Sequence, residues 1–202
     1  ISAILDDQRQ VSHYMASFTD ISERKAAEQR IDHLARHDAL TGLVNRFDME
    51  VRMAQSLLAA QRQNQALAVM LIDMDRFKVV NDTHGHAAGD EVLRTLAALL
   101  KRCARESDLI CRYGGEEFVV ILPGAQAEQA HTLLDRIRVD FARIRHPVDD
   151  GWFSSNFSGG IAQWNPDLDS EALLKRADEA LYQAKRAGRN QVQVLQSVSQ
   201  AK

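Results

Sequence analysis

Ala66-Leu67-Ala68-Val69-Met70-Leu71-Ile72-Asp73-Met74-Asp75 is the stretch whose reading decides the fold. An unbroken apolar run of this length, closed by Asp-x-Asp, reads as a central strand covered on both faces. Side chains alternate along a strand, so Asp73 and Asp75 leave it on the same side, at its carboxyl end. A buried strand thus delivers two carboxylates to one sheet edge.

Downstream, Gly114-Gly115-Glu116-Glu117 separates two further apolar runs, Leu109–Tyr113 and Phe118–Leu122. This reads as strand, tight turn, strand, with the paired glycines expected to supply positive φ at the turn. Adjacent carboxylates at a turn need a divalent cation, a cationic side chain or a proton; alone, they also fit a solvated polar turn. If the strand ending in Asp73 pairs with this hairpin, Asp73 and Glu116 can share one cation. Ligands that are all oxygen suit Mg²⁺.

The 202 residues are 45% hydrophobic and 26% charged, ordinary values for a folded chain. A net charge of −3 gives no global attraction to nucleic acid polymers or to an anionic membrane. Cys103 and Cys111 read as reduced core thiols of a cytoplasmic domain. No apolar run approaches a membrane span and no signal peptide is visible. The chain begins at Ile1 without Met, so it reads as a fragment whose longer parent could be membrane-anchored.

Four segments are expected. Residues 1–19 hold one alternating strand, Val11–Phe18, from a truncated upstream domain. Residues 20–36 form a linker helix, opened by a capping-box pattern at Asp20 and Glu23. Its sparse apolar residues fit either a helix that pairs with its own copy or a solvated linker. Residues 37–197 form the main domain, and 198–202 a polar tail. Within the domain, a helix carries Phe47, Val51, Ala54, Leu57 and Leu58 on one face. Another, starting near Gly89-Asp90, buries Val92, Leu93, Leu96, Leu99 and Leu100. A third runs from about Ala127 to Arg145, stopped by Pro147. Trp152–Ala162 reads as one strand interrupted at Gly159-Gly160. A last helix starts at Asp169 or Ser170 and ends at Gly188, before a closing strand, Gln191–Leu195. The order β-α-β-β-α-β with an added α and β is an α+β, ferredoxin-like split βαβ, with a mainly antiparallel central sheet flanked by helices.

The motifs resemble those of the GGDEF domains, the diguanylate cyclases, over residues 36–195. Gly114-Gly115-Glu116-Glu117-Phe118, preceded by Arg112-Tyr113, matches the naming motif in its GGEEF form. Asp38-x-Leu40-Thr41-Gly42-Leu43-x-Asn45-Arg46 matches the opening motif. Asp73-x-Asp75-x-Phe77-Lys78-x-x-Asn81-Asp82-x-x-Gly85-His86-x-x-Gly89-Asp90 matches the substrate stretch. Asp178-x-x-x-Tyr182-x-x-Lys185-x-x-Gly188-Arg189-Asn190 matches the closing motif. Residues 1–35 resemble the last strand of a PAS sensor domain with its linker helix.

The resemblance implies a homodimer that condenses two GTP into cyclic di-GMP and pyrophosphate, governed by an upstream sensor. It implies that Asp73, Glu116 and the Met74 carbonyl hold Mg²⁺, with Mn²⁺ able to substitute, and that Glu116, Glu117 and Asp73 are catalytic. Lys78, Lys185 and Arg189 would grip the triphosphate. Asn81 and Asp90 would read guanine, with His86, Leu40 and Phe77 beside the nucleotide. Arg105 and Asp108, with Arg136, would form an inhibitory site for the product. Read without the motifs, Asp75 is equally a helix N-cap, and Lys185 and Arg189 are cations at a helix end. His84 and His86 are too weak a pattern for a metal site. Two other readings stay open: a non-catalytic receptor for GTP or cyclic di-GMP, which nucleotide binding without turnover would favour, and a cyclase that also accepts ATP.

Overall fold

A computed structural model of the chain describes residues 2–5, 8–15, 20–23, 25 and 34–195. The chain divides into two units, Ile1–Ala35 and Arg36–Lys202. In the first, β1 (Ser2–Leu5) pairs antiparallel with β2 (Val11–Met15). The sequence pattern finds only the second strand of this hairpin; residues 16–18 of its expected length lie outside the described residues. Asp20 accepts the Ser22 N–H on its Oδ1 at 2.9 Å, as a helix cap does. Most of the linker helix expected over 20–36, and the tail, lie outside the described residues.

The second unit runs β3 (Val44–Asn45), α1 (Arg46–Gln63), β4 (Leu67–Met74), α2 (Phe77–His84), α3 (His86–Cys103), β5 (Leu109–Gly114), β6 (Glu117–Pro123), α4 (Ala127–Ala142), β7 (His146–Val148), β8 (Gly151–Phe153), β9 (Phe157–Gln163), α5 (Ser170–Arg186) and β10 (Val192–Leu195). Six strands form one sheet in the order β10-β9-β4-β6-β5-β3. β4 lies antiparallel to both β6 and β9, and the outer pairs β10–β9 and β3–β5 are parallel. This is the expected mainly antiparallel α+β sheet, with β4 at its centre.

Every residue of β4 is buried. Its alternation sorts two cores. Ala68, Met70, Ile72 and Met74 join Leu93, Leu96, Leu134 and Phe141 from α3 and α4 on one face. Leu67, Val69 and Leu71 join Met49, Met53, Leu173 and Leu181 from α1 and α5 on the other. At ~25 cal/mol per Å² of apolar area, burying such side chains contributes about 1.5–3 kcal/mol each, which makes β4 the costliest strand to perturb. No described helix is long and apolar enough to cross a membrane. Cys103 and Cys111 are free thiols, as expected.

Several local expectations are corrected. In α1 the core face is Met49, Met53, Leu57 and Ala60, whereas Phe47, Val51 and Leu58 are exposed. Both stripes have helical spacing, so periodicity alone could not choose between them. A helix ends at Ala142, ahead of Pro147, which lies in β7. The expected Trp152–Ala162 strand breaks at residues 154–156, while Gly159 and Gly160 sit inside unbroken β9. A Cβ at Gly160 would collide with the α5 backbone at Ala177 and Leu181, and one at Gly159 with Leu134. These glycines serve close packing. Neither Gly114 nor Gly115 has positive φ. The hairpin instead absorbs its reversal through an irregular register between Arg112 and Gly114.

Candidate active site

The end of β4 and the β5–β6 turn converge. Asp73 faces Glu117 in the antiparallel register, and the Met74 N–H donates to the Glu116 carbonyl at 3.3 Å. Directly opposed residues on one sheet face have their side chains side by side. Asp73 is only 7% exposed, and Lys185 of the last turn of α5 reaches its Oδ2 at 2.9 Å. Lys185 thus gives Asp73 a cationic partner.

One lysine does not balance this acid group. Burial pushes the Asp73 carboxyl above its ordinary pKa, and the charge of Asp75 adds to this, against the pull of Lys185 and Arg189. Glu116 is raised by burial and then by Asp73, with Lys185 opposing. Glu117 is raised by the same two causes, and further by Asp178. Burial is the main cause of all three rises, and the charge of neighbouring carboxylates adds to it. Among the described residues no three acidic, His or Cys side chains form a ready metal cluster. A set of two carboxylates and a main-chain carbonyl, all oxygen and under-compensated, fits a hard divalent cation that keeps several waters.

The loop after β4 holds the next group of predicted residues. Arg76 has φ 54° at the start of α2, and no side chain caps that helix. Asp75 is therefore not its N-cap. Its Oδ1 instead accepts the Ser158 hydroxyl at 2.7 Å, and its Oδ2 accepts the Asn190 N–H at 2.9 Å. Phe77 is buried and Lys78 exposed on the first turn of α2. Asn81 lies one turn on. Its amide rests against Gly89 of α3, where a Cβ would fall on the Asn81 carbonyl oxygen. Asp90 follows immediately and is half-buried, 3.9 Å from Arg94 across a helical turn. Asn81 and Asp90 thus lie beside one α2–α3 contact, at Gly89. The sequence predicts α3 only from Gly89; it begins at His86, after Gly85 with φ 82°. His86 is exposed, while His84 stacks on Phe153 with ring centroids 4.2 Å apart. Leu40 packs at the edge of the core formed by α3 and α4.

On another part of the domain, Arg105, Asp108 and Arg136 line one cavity of about 180 Å³, together with Cys103, Leu122 and Gln129. Its turn is built by the Arg105 N–H donating to Asp108 Oδ2 at 2.8 Å. Asp108 therefore shapes the turn; it is not simply the acid of a surface ion pair.

Arg112 is the residue that sequence reasoning passed over. Its Nη1 lies 3.1 Å from both oxygens of Asp38, while Nε and Nη2 donate to the Gly115 carbonyl at 3.1 and 2.7 Å. Asp38 also accepts the Thr41 N–H and hydroxyl at 2.9 and 2.7 Å. The opening turn is so pinned to the acidic hairpin. The signal was present as Arg112 before Gly114-Gly115, but its partner is 74 residues away. Asp48 was also missed: it is buried and bridges Arg36 at 2.9 Å and Arg52 at 2.6 Å.

Residues 35–191 match the family model described as diguanylate cyclase, GGDEF domain. The chain is 43% identical over 177 residues to the diguanylate cyclase DgcM of Escherichia coli, covering 86% of this chain and 42% of that protein. It is 44% identical over 168 residues to the response regulator PleD of Caulobacter vibrioides, covering 80% and 37%. It therefore spans about two-fifths of the length of these relatives. Among solved structures, the coiled coil and GGDEF domain of DgcB from Caulobacter crescentus, in complex with c-di-GMP, matches with a TM-score of 0.83 at 30% identity, over 87% of this chain and 93% of that one. The active GGEEF domain of a Vibrio cholerae diguanylate cyclase matches with a TM-score of 0.72 at 33% identity, over 77% and 99%.

Proposed function

The chain belongs to the diguanylate cyclase GGDEF domain family, and from that premise we propose that it condenses two GTP into cyclic di-GMP across the face between two copies. The observation that carries this is the group Asp73, Glu116 and Glu117, whose proton affinities are all raised and which meets one lysine. Such a group asks for a bound cation and for a substrate that brings its own.

Each copy would hold one GTP, with the guanine between Asn81 and Asp90. A carboxylate offers two acceptor oxygens to the N1–H and exocyclic amine of guanine, a donor pair adenine lacks. Lys78, Lys185 and Arg189 would hold the triphosphate as charge-assisted donors. Leu40, Phe77 and His86 would border the nucleotide. The 3′-oxygen of each GTP would form a bond to the α-phosphorus of the other, so that two such attacks close the ring, a pyrophosphate leaves with the old bond's electrons at each, and each hydroxyl proton passes to a base. Glu116 would take that role, with Glu117 beside it in the chain. Asp73, Glu116 and the Met74 carbonyl would hold Mg²⁺, or Mn²⁺ in its place. When bound, the metal neutralises phosphate charge and lowers the pKa of the hydroxyl. The side chains' own share of the work is positioning and charge compensation. Lys185 would leave Asp73 for phosphate as the nucleotide arrives.

Arg105, Asp108 and Arg136 would bind the product as an inhibitor; their shared cavity supports this, and the DgcB relative was solved with c-di-GMP. A site divided between two copies makes the rate depend on how they face each other, so the segment 20–36 would carry control from an upstream sensor.

The test is incubation with GTP and Mg²⁺ and resolution of the product by mass. Cyclic di-GMP is expected, and Glu116→Ala should abolish it. Absence of any dinucleotide at high protein concentration would sink the proposal.

A further inference from the structure

Two carboxylates stand at the end of β4, and the site described above uses only the first. Asp75 points to the same side as Asp73 but makes different bonds. Its main-chain N–H donates to the Asn156 carbonyl at 2.9 Å, Ser158 of β9 orients its Oδ1, and its Oδ2 takes the Asn190 N–H. Asn190 belongs to the segment that follows α5, 115 residues away.

That segment has a costly backbone. Gly188, Arg189 and Asn190 have φ of 118°, 66° and 45° in succession. Left-handed conformation is disfavoured for residues with a Cβ, and two such residues in a row persist only when neighbours impose it. Little packing is present to impose it. The three residues are exposed, and they border an open cavity of about 280 Å³ together with Asp75 and Arg76. What holds the segment is polar: Asn190 N–H to Asp75, Asn190 Oδ1 from Arg138 at 2.8 Å, Arg189 N–H to the Ala184 carbonyl at 3.1 Å, and the Arg189 carbonyl from Gln191 Nε2 at 3.4 Å. Of these, only the Asp75 bond ties the segment to β4, the strand that carries Asp73.

We propose that Asp75 is a positioning residue for triphosphate binding: by fixing the left-handed turn at Asn190 to the end of β4, it sets Arg189 at the height of the phosphate-gripping cations. This rests on the reading of Lys185 and Arg189 as triphosphate ligands. Asp75 itself touches no substrate. It works by removing the freedom of a loop that would otherwise have to be ordered at each binding event.

The experiment compares binding of GTP with that of GMP, which lacks the β- and γ-phosphates, by calorimetry in Mg²⁺. The wild-type chain should favour GTP. Asp75→Ala should weaken GTP about tenfold or more while leaving GMP unchanged. Asp75→Asn keeps an acceptor for Asn190 and a group for Ser158, and should restore GTP affinity to within about threefold. Asp75→Ala added to Arg189→Ala should cost less than twofold beyond Arg189→Ala alone, because the two act through one contact. Should Asp75→Ala fail to fold, Ser158→Ala, which only releases the orientation of the carboxylate, should give the same selective loss in smaller degree. Equal weakening of GTP and GMP, unchanged GTP binding, or additive losses in the double variant would overturn the inference while leaving the proposed activity standing. A wild-type chain with no preference for GTP would remove the premise, and the inference with it.

Discussion

Asp38 and Asp73 are both largely buried carboxylates facing a single basic side chain, yet their proton affinities move in opposite directions. Asp38 meets Arg112 at 3.1 Å, with its side chain 22% exposed; Asp73 meets Lys185 at 2.9 Å, with its side chain 11% exposed. Burial acts to raise both. At Asp38 it is outweighed by hydrogen bonds from the Thr41 hydroxyl and N–H and by Arg112, so the carboxyl falls below its usual range. At Asp73 burial prevails, and Asp75 adds its charge. The difference lies in company. Asp38 Oδ1 accepts from the Thr41 N–H, the Thr41 hydroxyl and Arg112, and Oδ2 accepts from Arg112, which is the condition of a group that holds structure. Asp73 shares its edge with Glu116 and Glu117, which is the condition of a group that waits for a ligand.

Removing each charge should break the pair apart in opposite ways. The largest expected effect is Asp73→Asn, which should lower cyclic di-GMP formation by at least about a hundredfold if Asp73 holds the metal as proposed. Its urea midpoint should hold or rise, because one of several repelling charges has gone. A loss of stability with activity retained would reverse the assignment. Asp38→Ala should do the converse and cost about 2 kcal/mol of stability, the worth of charge-assisted bonds left without their acceptor, read from urea unfolding at constant slope. Arg112 would then hold the hairpin by the Gly115 carbonyl alone.

Metal should sharpen the contrast. Addition of Mg²⁺ without nucleotide should raise the melting temperature of the wild-type chain and of Asp38→Ala by a few degrees, about 1.4 kcal/mol of linkage at ten times the dissociation constant. Asp73→Asn should show no shift, and chelator should reverse it in the other two. The smallest effect is in pH. The lowered carboxyl of Asp38 contributes stability that is present above the ordinary carboxylate pKa and is lost as pH falls through its lowered value. Asp38→Asn should therefore be less stable at neutral pH but lose less stability on acidification below about pH 4. Parallel acid unfolding curves for the two proteins would show that Asp38 carries no such linkage.

Much of this arrangement was legible in the chain. The apolar run into Asp73 is a buried strand because both of its faces are covered, and the glycines before Glu116 mark the hairpin that pairs with it. The α+β order followed from these two together with the apolar stripes of the helices between and after them. Where the reading failed, the deciding contact was distant in sequence. α1 offers two apolar stripes, and only its packing against β4 and β5 selects Met49 and Met53 over Phe47 and Val51. Gly159 and Gly160 look like an interruption until α4 and α5 are laid upon them. Asp75 reads as a cap because capping is local, while its observed partners lie in β9 and past α5. Arg112 and Asp38 each stand in a legible motif, but nothing local joins them across 74 residues.

Gly160 has a mechanical consequence. With α5 resting on the bare backbone of β9, nothing compressible separates helix from strand, so the pair behaves as one stiff plate. Lys185 and Asp73 stand on opposite members of that plate and its neighbour β4, and the gap between them is gauged by a missing methyl group. An alanine at 160 would lift the helix like a shim under a bearing, detuning the reach of Lys185 without touching any residue that meets the nucleotide.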